Sequence, residues 1–347
     1  MSAPTLPGVG VRSATAVLRA AHDVVDPGLR LAVDRLPTSI RHLAGYHFGW
    51  WDQHGTPTSA FSGKGVRPAL VLLACQAMGG CGEEALPAAL AVELVHNASL
   101  LHDDIIDNDR TRRKRPATWA AFGVPAGILA GDALFFLACQ LLAEADDPLA
   151  RLGPTRLYAA VQGLIDGEYQ DTLFEGRADV GLAECLAMAS AKTSALTGAS
   201  CALGAIAAGA NESQIAHLAD FGTHLGCAFQ LMDDVLGIWG DAARTGKPAM
   251  SDLRSRKKSL PVAAALASRT PAGRALARLY HQSGPPSEAD LHTIAGLIEE
   301  AGGRNWAITE ARRHVTAALD HLQAAGANPI PAAELAAIAT LFIERDH

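Results

Sequence analysis

Apolar residues recur with the roughly 3.6-residue spacing of an α-helix along nearly the whole chain from Ser13 onward. The period runs through segments such as RPALVLLACQAMGG, ALPAALAVELVHNASLLHDDIID and QIAHLADFGTHLGCAFQLMDDVLGIWGD. No alternating apolar and polar pattern of useful strand length interrupts it, and no longer internal repeat is found in the sequence. Because such a chain buries its apolar stripes by packing helix on helix, the sequence predicts one all-α domain of ten or more helices.

The predicted domain runs over 14–347, and residues 1–13, which are small and rich in Pro and Gly, are expected to form a flexible tail. With 49% hydrophobic and 19% charged residues, the chain can bury a sizeable core, which excludes global disorder. A net charge of -7 and an aromatic content of 5% argue against a nucleic-acid-binding protein.

The six cysteines form no CxxC pair, and most lie within apolar helical stretches. We therefore expect reduced core thiols and a cytoplasmic protein. No run of 18 uninterrupted apolar residues occurs, which predicts that no segment spans a membrane.

Two acidic clusters end apolar helices. Asp103, Asp104 and Asp107 close the first, where residues four apart lie one above the other. Such carboxylates repel one another unless a cation lies between them, and Mg²⁺ prefers oxygen ligands of this kind. A solvated helix end is the alternative for this cluster taken alone.

The second cluster makes a shared metal site the better interpretation. Asp233 and Asp234 end another apolar helix, and Asp241 follows eight residues after Asp233. Two such clusters about 130 residues apart could face each other across a helical bundle and hold several Mg²⁺ ions. The basic residues suit a diphosphate ligand of that site; they are Lys64, Arg67, Arg112, Arg113, Lys114, Arg115, Lys247, Lys257 and Lys258. The alternative for 110–115, a nuclear-localisation or nucleic-acid patch, lacks a second basic face.

Over about residues 30–345 the chain resembles the trans-isoprenyl diphosphate synthases, or polyprenyl synthetases. Asp103-Asp104-x-x-Asp107 with Arg112-Arg113 is similar to the family's first aspartate-rich motif, and Asp233-Asp234 to the second. The resemblance implies a helical bundle around a central apolar cavity and an isopentenyl diphosphate site made by Lys64, Arg67, His96 and Arg113. It assigns binding of the allylic substrate to Arg112, Lys192, Thr193, Gln230, Lys247 and Lys257. Less specifically, it places Asp171 in the same cavity.

The implied reaction begins when Mg²⁺, three ions per site, bridges the aspartates (Asp103, Asp104, Asp107, Asp233, Asp234, Asp241) to the allylic diphosphate. That substrate ionises with help from Lys192 and Lys247, and the double bond of isopentenyl diphosphate attacks the resulting cation. A proton then leaves, plausibly to the departing diphosphate, while an apolar cavity excludes water.

The sequence departs from the family's pattern in three places. Gly237 stands where the second motif usually has a third aspartate, and Asp241 is a possible substitute. Lys114 follows the arginine pair where Gly is common, and Pro116-Ala117-Thr118-Trp119 is shifted from the usual Pro-Thr. The spacing of Asp233, Gly237 and Asp241 also resembles a class I terpene cyclase motif. A cyclase has no use for an isopentenyl diphosphate site, so elongation is favoured; an inactive, binding-only paralogue is the other alternative.

In the family's C15 producers, bulky aromatic residues four and five positions before the first aspartate form the tunnel floor. Those positions are Ser99 and Ala98 here, and Val95 lies further back on the same face. The resemblance therefore implies a C20 product, geranylgeranyl diphosphate, with longer chains as second choice and C15 disfavoured.

Two partners are implied by likeness. The family is usually homodimeric. The stretches Asp233–Asp241 and Gly45–Trp51 also resemble bacterial synthases packaged in encapsulin shells, which dock through a flexible N-terminal extension.

Overall fold

The computed structural model describes residues 10–58, 65–177, 179–241, 250–280, 284 and 286–343. Most of these residues are helical, which confirms the all-α prediction. The helices are α1 (Ala14–Val33), α2 (Thr38–Phe48), α3 (Val66–Ala77), α4 (Leu86–Ile106), α5 (Thr118–Phe122), α6 (Val124–Ala143), α7 (Leu149–Gly176), α8 (Leu182–Ala189), α9 (Ala195–Ala207), α10 (Glu212–Trp239), α11 (Ser251–Arg254), α12 (Leu260–Ala267), α13 (Pro271–Tyr280), α14 (Glu288–Glu300), α15 (Gly303–Ala324) and α16 (Pro329–Ile343).

Three short elements complete the described chain. A 3₁₀ turn over Glu83–Ala85 precedes α4, and a π-helical turn over Ser190–Ser194 joins α8 to α9. Strands β1 (Thr111–Arg112) and β2 (Arg115–Pro116) form a small antiparallel hairpin after α4. Predicted substrate-binding residues lie in two of these short elements: Arg112 and Arg113 in the hairpin, and Lys192 and Thr193 in the π-helical turn.

The core forms around α10, which packs along α9 and α15, while α4 packs against α6 and α3 against α9. Large side chains such as Leu94, Leu134 and Phe221 are fully buried in this cluster. A smaller second cluster joins the end of α10 to α11–α14. Burial of apolar surface at about 25 cal/mol per Å² is the main favourable term that holds such a bundle together.

Glycines let the site helices approach the π-helical turn closely. A Cβ added at Gly167 of α7 would lie 2.4 Å from the backbone nitrogen of Lys192. One added at Gly226 of α10 would lie 2.7 Å from the Cα of Ser194. No larger residue fits at either crossing unless the backbones separate, so these glycines place α7 and α10 on either side of Lys192 and Thr193.

The predicted boundary of the flexible tail is too far along the chain. The backbone N–H and the guanidinium of Arg12 donate to the buried carboxylate of Glu334 on α16, at 2.6–3.0 Å. The hydroxyl of Ser13 accepts from the N–H of Ala16 and caps α1. The chain is therefore anchored from Arg12 onward, and residues 1–9 lie outside the described ranges.

Within the described chain, α6 is the one helix long and apolar enough, by length and composition, to cross a membrane. Asp132 interrupts its apolar run, and 39% of its apolar window is buried inside the protein. One side of the helix packs against α4 and α7.

Candidate active site

The carboxylates of the first acidic cluster, at the end of α4, lie in two different environments. Asp103 and Asp107 line an open cavity of about 200 Å³. Asp104 is 1% exposed and accepts a hydrogen bond of 2.9 Å from Nε of Arg112, with a second contact from Nη2. Through Oδ1, Asp104 positions Arg112, whereas its Oδ2 is buried without a hydrogen-bond partner, and the residue is not among those that line the cavity. The metal role of Asp104 stays a prediction.

The second acidic cluster lies across the same cavity on α10. Asp233 is exposed to it, whereas Asp234 is buried, with Oδ1 accepting from the amide of Gln230 and Oδ2 from the backbone N–H of Leu260. Burial raises the pKa of Asp234 to about 7. Burial, together with the negative charge of Glu168, raises the pKa of Asp103 to about 7 as well. The cavity thus has an excess of carboxylates, an arrangement that favours cations.

Two lysines stand beside these carboxylates. Lys192 Nζ lies 2.7 Å from Asp171 and 2.6 Å from Glu168 on α7, and Lys257 Nζ lies 3.6 Å from Asp171. These pairings raise the lysine pKa values against the opposing effect of burial. Both lysines are therefore charged donors that face the aspartates across the cavity.

The π-helical turn directs consecutive residues to different helices. While Lys192 reaches α7, the hydroxyl of Thr193 donates to Oε1 of Gln230 on α10 at 2.6 Å. The amide of Gln230 in turn donates to Asp234. Hydrogen bonds thus connect Thr193 of the turn, through Gln230, to the second acidic cluster. Such π-bulges are frequent at functional sites.

A second cationic cluster lies nearer the middle of α4. Arg67 at the start of α3 and Arg113 of the hairpin turn both act electrostatically on His96 of α4, and the charge of Glu93 acts on both arginines. Burial and the two arginines lower the pKa of His96, which keeps it neutral. Nε of Arg67 and Nη1 of Arg113 are buried and have no hydrogen-bond partner. Two unpaired guanidinium donors in one place indicate an anion site.

The hairpin turn sets the direction of Arg113. Arg113 and Lys114 both adopt left-handed backbone conformations, with φ of 52° and 63°. Lys114 therefore occupies a position that favours glycine, which explains why a glycine is common there in the family that the sequence resembles. Replacing that glycine by Lys114 leaves the two-residue turn intact.

The other predicted site residues are Lys64, Lys247, Asp241 and the three predicted to set product length. Lys64 and Lys247 lie outside the described residues. Asp241 is exposed, beyond the end of α10, and is not among the groups lining the cavity. Ala98 and Val95 are fully buried on α4, and Ser99 is 6% exposed, so all three present small side chains inside the bundle.

The sequence patterns did not indicate Asp252, which the structure places against Gly237. An added Cβ at Gly237 would lie 2.2 Å from Oδ2 of Asp252, in the first turn of α11. The position that lacks a third aspartate is thus filled by a carboxylate from 15 residues further along the chain. No local spacing could have revealed this, because the contact forms only when α11 folds back onto α10.

Asn97 and Glu93 are two further residues that the sequence patterns did not single out. Asn97 is completely buried on α4 and accepts a hydrogen bond of 3.1 Å from Arg113 Nη2. It donates to the backbone carbonyl and to the carboxylate of Glu93 one turn earlier. A polar pair inside an otherwise apolar helix was the available signal.

The chain is similar to known proteins over nearly its full length. Residues 51–298 match the model of the polyprenyl synthetase family. A (2E,6E)-farnesyl diphosphate synthase of Mycobacterium tuberculosis is 47% identical over 332 residues, covering 95% of this chain and 92% of that protein. A geranylgeranyl diphosphate synthase of the same species is 41% identical and covers 95% and 94%.

Solved structures agree with these relatives. A polyprenyl synthetase from Streptomyces coelicolor superposes with a TM-score of 0.91 at 44% identity, covering 95% of this chain and 99% of that one. A geranylgeranyl pyrophosphate synthetase from Pyrococcus horikoshii superposes with a TM-score of 0.85 at 31% identity, covering 96% and 98%. The resemblance inferred from the aspartate-rich motifs is confirmed, and the chain belongs to the polyprenyl synthetase family.

Proposed function

We propose that the chain condenses isopentenyl diphosphate head to tail with an allylic diphosphate of five, ten or fifteen carbons and releases diphosphate. The observation that supports this reaction is the presence of two candidate diphosphate sites along α4, one lined by carboxylates that would act through bound cations and one formed by arginines. One is the cavity between Asp103, Asp107 and Asp233, and the other is the cluster of Arg67 and Arg113. Two diphosphate substrates require two such sites.

The residues of the first site fit Mg²⁺. Among the described residues, no three carboxylate, imidazole or thiol groups already surround one point. A few carboxylates completed by substrate phosphates is the arrangement that Mg²⁺ favours. Asp103, Asp107 and Asp233 would hold the ions, three per site as the family resemblance implies. Bound there, Mg²⁺ would neutralise the diphosphate leaving group.

The chain's own side chains supply the remaining steps. Lys192 and Lys257 donate hydrogen bonds to the leaving diphosphate, which lowers the cost of breaking the allylic carbon–oxygen bond. Arg67 and Arg113 hold isopentenyl diphosphate so that its double bond forms the new carbon–carbon bond. The proton that this carbon skeleton must lose passes to the departing diphosphate, because neutral His96 lies in the other cluster.

The test is an incubation of purified protein with Mg²⁺, isopentenyl diphosphate and each allylic starter, followed by mass spectrometry. Products that lengthen in five-carbon steps would support elongation. A cyclic hydrocarbon formed from a longer diphosphate alone would favour the cyclase alternative. Neither product would indicate an inactive paralogue. The buried donor atoms without partners, Nε of Arg67 and Nη1 of Arg113, are the observation that makes elongation the better hypothesis.

For product length we propose C20 or longer. Ala98, Ser99 and Val95 put no bulky side chain on the buried face of α4 before Asp103. From residue 98 back to residue 91 is roughly 10 Å along the helix, enough for additional isoprene units. A C15 product is the second candidate, because relatives that are 47% identical are named farnesyl diphosphate synthases.

We also propose a homodimer formed through α6 and α7. Large apolar side chains on these helices are exposed, among them Phe136 at 76%, Ile165 at 56% and Tyr169 at 61%. Apolar surface of this extent on adjacent helices is typical of a protein interface. An encapsulin shell remains a second hypothetical partner. Its docking segment would lie in residues 2–12, nearly all outside the described chain, and co-purification with shell protein that deletion of this segment abolishes would support it.

A further inference from the structure

The amide of Asn97 has only one orientation that satisfies its neighbours. Nδ2 donates to the carbonyl oxygen of Glu93 at 2.8 Å and to its Oε1 at 2.9 Å, which uses both N–H groups. Oδ1 accepts from Arg113 Nη2 at 3.1 Å and contacts Nε2 of His47 at 3.2 Å. A flipped amide would point N–H groups at the donors of Arg113, so the assignment follows from the network.

His47 is held as a neutral donor in this network. Burial, followed by the charges of Arg113 and Arg112, lowers the pKa of His47 to about 3. Because Asn97 Oδ1 can only accept, the proton of the neutral ring is on Nε2. The oxygen of Asn97 therefore receives one hydrogen bond from α2 and one from the hairpin, both inside the protein.

One nitrogen of the Arg113 guanidinium is thus held by a hydrogen bond, and another has no partner inside the protein. Nη2 is held by Asn97, while Nη1 is buried and has no partner. Nε of Arg67 is buried and unpaired in the same cluster, and the Glu93 carboxylate interacts with both arginines. Glu93 orients Asn97 and also balances the arginine charges before an anion arrives.

We propose that Asn97, oriented by Glu93, is the positioning residue that directs Arg113 at the diphosphate of isopentenyl diphosphate. The proposal rests on the proposed function. Without the Asn97 oxygen, the guanidinium would turn toward Glu93, the carboxylate whose charge acts on it most strongly, and its donor without a partner would no longer face the substrate. The allylic cavity, which Asn97 does not line, would be unaffected.

Asn97→Leu, of similar volume but without hydrogen bonds, is the first variant. We expect the KM for isopentenyl diphosphate to rise about tenfold while the KM for the allylic diphosphate stays within twofold, as loss of one oriented charged hydrogen bond predicts. Ser200→Ala is the matched control, because it removes a buried hydrogen bond on α9 at a residue that does not line the cavity. Equal changes in both KM values, or changes no larger than in the control, would overturn the proposal.

A donor–acceptor exchange keeps the test decisive if Asn97→Leu does not fold. Asn97→Asp alone retains an acceptor for Arg113 but places a second carboxylate against Glu93. Combined with Glu93→Gln it restores the pairing with the same total charge, so the double variant should recover the KM for isopentenyl diphosphate that Asn97→Asp loses. If the double variant does not recover this KM, the proposed orientation of Asn97 by Glu93 is contradicted.

Binding of isopentenyl diphosphate, measured calorimetrically on the same proteins, separates two kinds of failure. Unmodified protein that neither binds this substrate nor elongates an allylic diphosphate would refute the proposed function itself. Unmodified protein that does both, with an Asn97→Leu variant that binds equally well, would refute only the role of Asn97.

Discussion

At the scale of single residues, Asp252 offers a solution to the missing third aspartate of the second acidic cluster. Its Oδ2 occupies the space that a side chain at position 237 would need. Asp241, the substitute suggested by spacing, is exposed beyond the end of α10. We infer that Asp252 completes the second cation site, so that Gly237 reflects a relocation of the carboxylate to α11.

The two candidates are distinguished by matched substitutions. Asp252→Asn should raise the Mg²⁺ concentration needed for half-maximal activity by about 10–100-fold, since it removes a charged group from the cation site. Asp241→Asn should change it less than twofold. Magnesium titrations of initial rate measure both, and the opposite ranking would restore the role of Asp241.

An exchange of the two positions gives a second check on this relocation. Gly237→Asp alone should inactivate, because the new side chain clashes with Asp252. Gly237→Asp together with Asp252→Gly should recover part of the activity, because the carboxylate returns to the helix position typical of the family. A double variant no better than either single one would contradict this account.

At the scale of elements, α10 and α15 are joined by four imidazoles, here called the histidine seam: His217, His224, His314 and His321. Nδ1 of His224 lies 2.8 Å from Nδ1 of His314, and the corresponding atoms of His217 and His321 are 3.1 Å apart. Each contact requires one donor and one acceptor nitrogen. The two Nδ1 atoms of a pair therefore cannot both be protonated without bringing two N–H groups against each other. Asp220 and Glu310 face the seam as acceptors, and Arg313 adds positive charge.

The seam predicts a loss of stability in weak acid. Burial and the charge of His224 lower the pKa of His314 to about 4, and the pKa of His224 is lowered by burial and His321. A histidine whose folded pKa is depressed contributes stability above about pH 6.5, and this is lost as the pH falls toward 4. The free energy of unfolding should fall by about 1 kcal/mol over that window through His314, after allowing for solvent screening.

Denaturant unfolding between pH 7 and pH 4 measures this effect, and His314→Gln should flatten the profile. His292→Gln, at an exposed histidine of α14, is the control and should leave the slope unchanged. Identical slopes in the two variants would show that the seam does not govern acid stability.

The buried face of α4 carries the prediction on product length. Ala98→Phe places an aromatic ring on the face of α4 where Leu94, Val95 and Leu101 are buried, so the product should shorten by at least one five-carbon unit. Ile106→Phe, at the exposed end of the same helix, adds a ring without narrowing the bundle and should not alter the product. Mass spectrometry measures the chain length of the products. A C15 product from the unmodified protein would contradict the C20 proposal.

The helices and both acidic clusters were predictable because they depend on local spacing: apolar residues about 3.6 apart and carboxylates on successive turns. The contact of Asp252 with Gly237 was not, because it needs α11 to return to α10. Asn97 was hidden for a related reason: its role depends on Arg113, and a left-handed turn brings that side chain back to α4. The anchoring of Arg12 by Glu334 likewise joins residues from opposite ends of the chain.

At the scale of the whole molecule, α6 and α7 leave an apolar face that the described chain does not cover. Tyr158, Ile165, Tyr169 and Leu173 follow one side of α7 at intervals of seven and four residues, and all are at least 43% exposed. A face in permanent contact with water would be polar at these positions. We propose a second copy of the chain as the partner, because identical patches meet symmetrically in a twofold dimer.

Phe136→Glu should therefore convert a dimer into a monomer of 36.1 kDa, because each interface would bury two unpaired carboxylates. Leu31→Glu is the matched control: Leu31 is 71% exposed on α1, comparable to the 76% of Phe136, but lies away from the proposed interface. Size-exclusion chromatography with light scattering reads out the mass. An unmodified chain that is monomeric, or a Phe136→Glu variant that stays dimeric, would assign the apolar face to another partner.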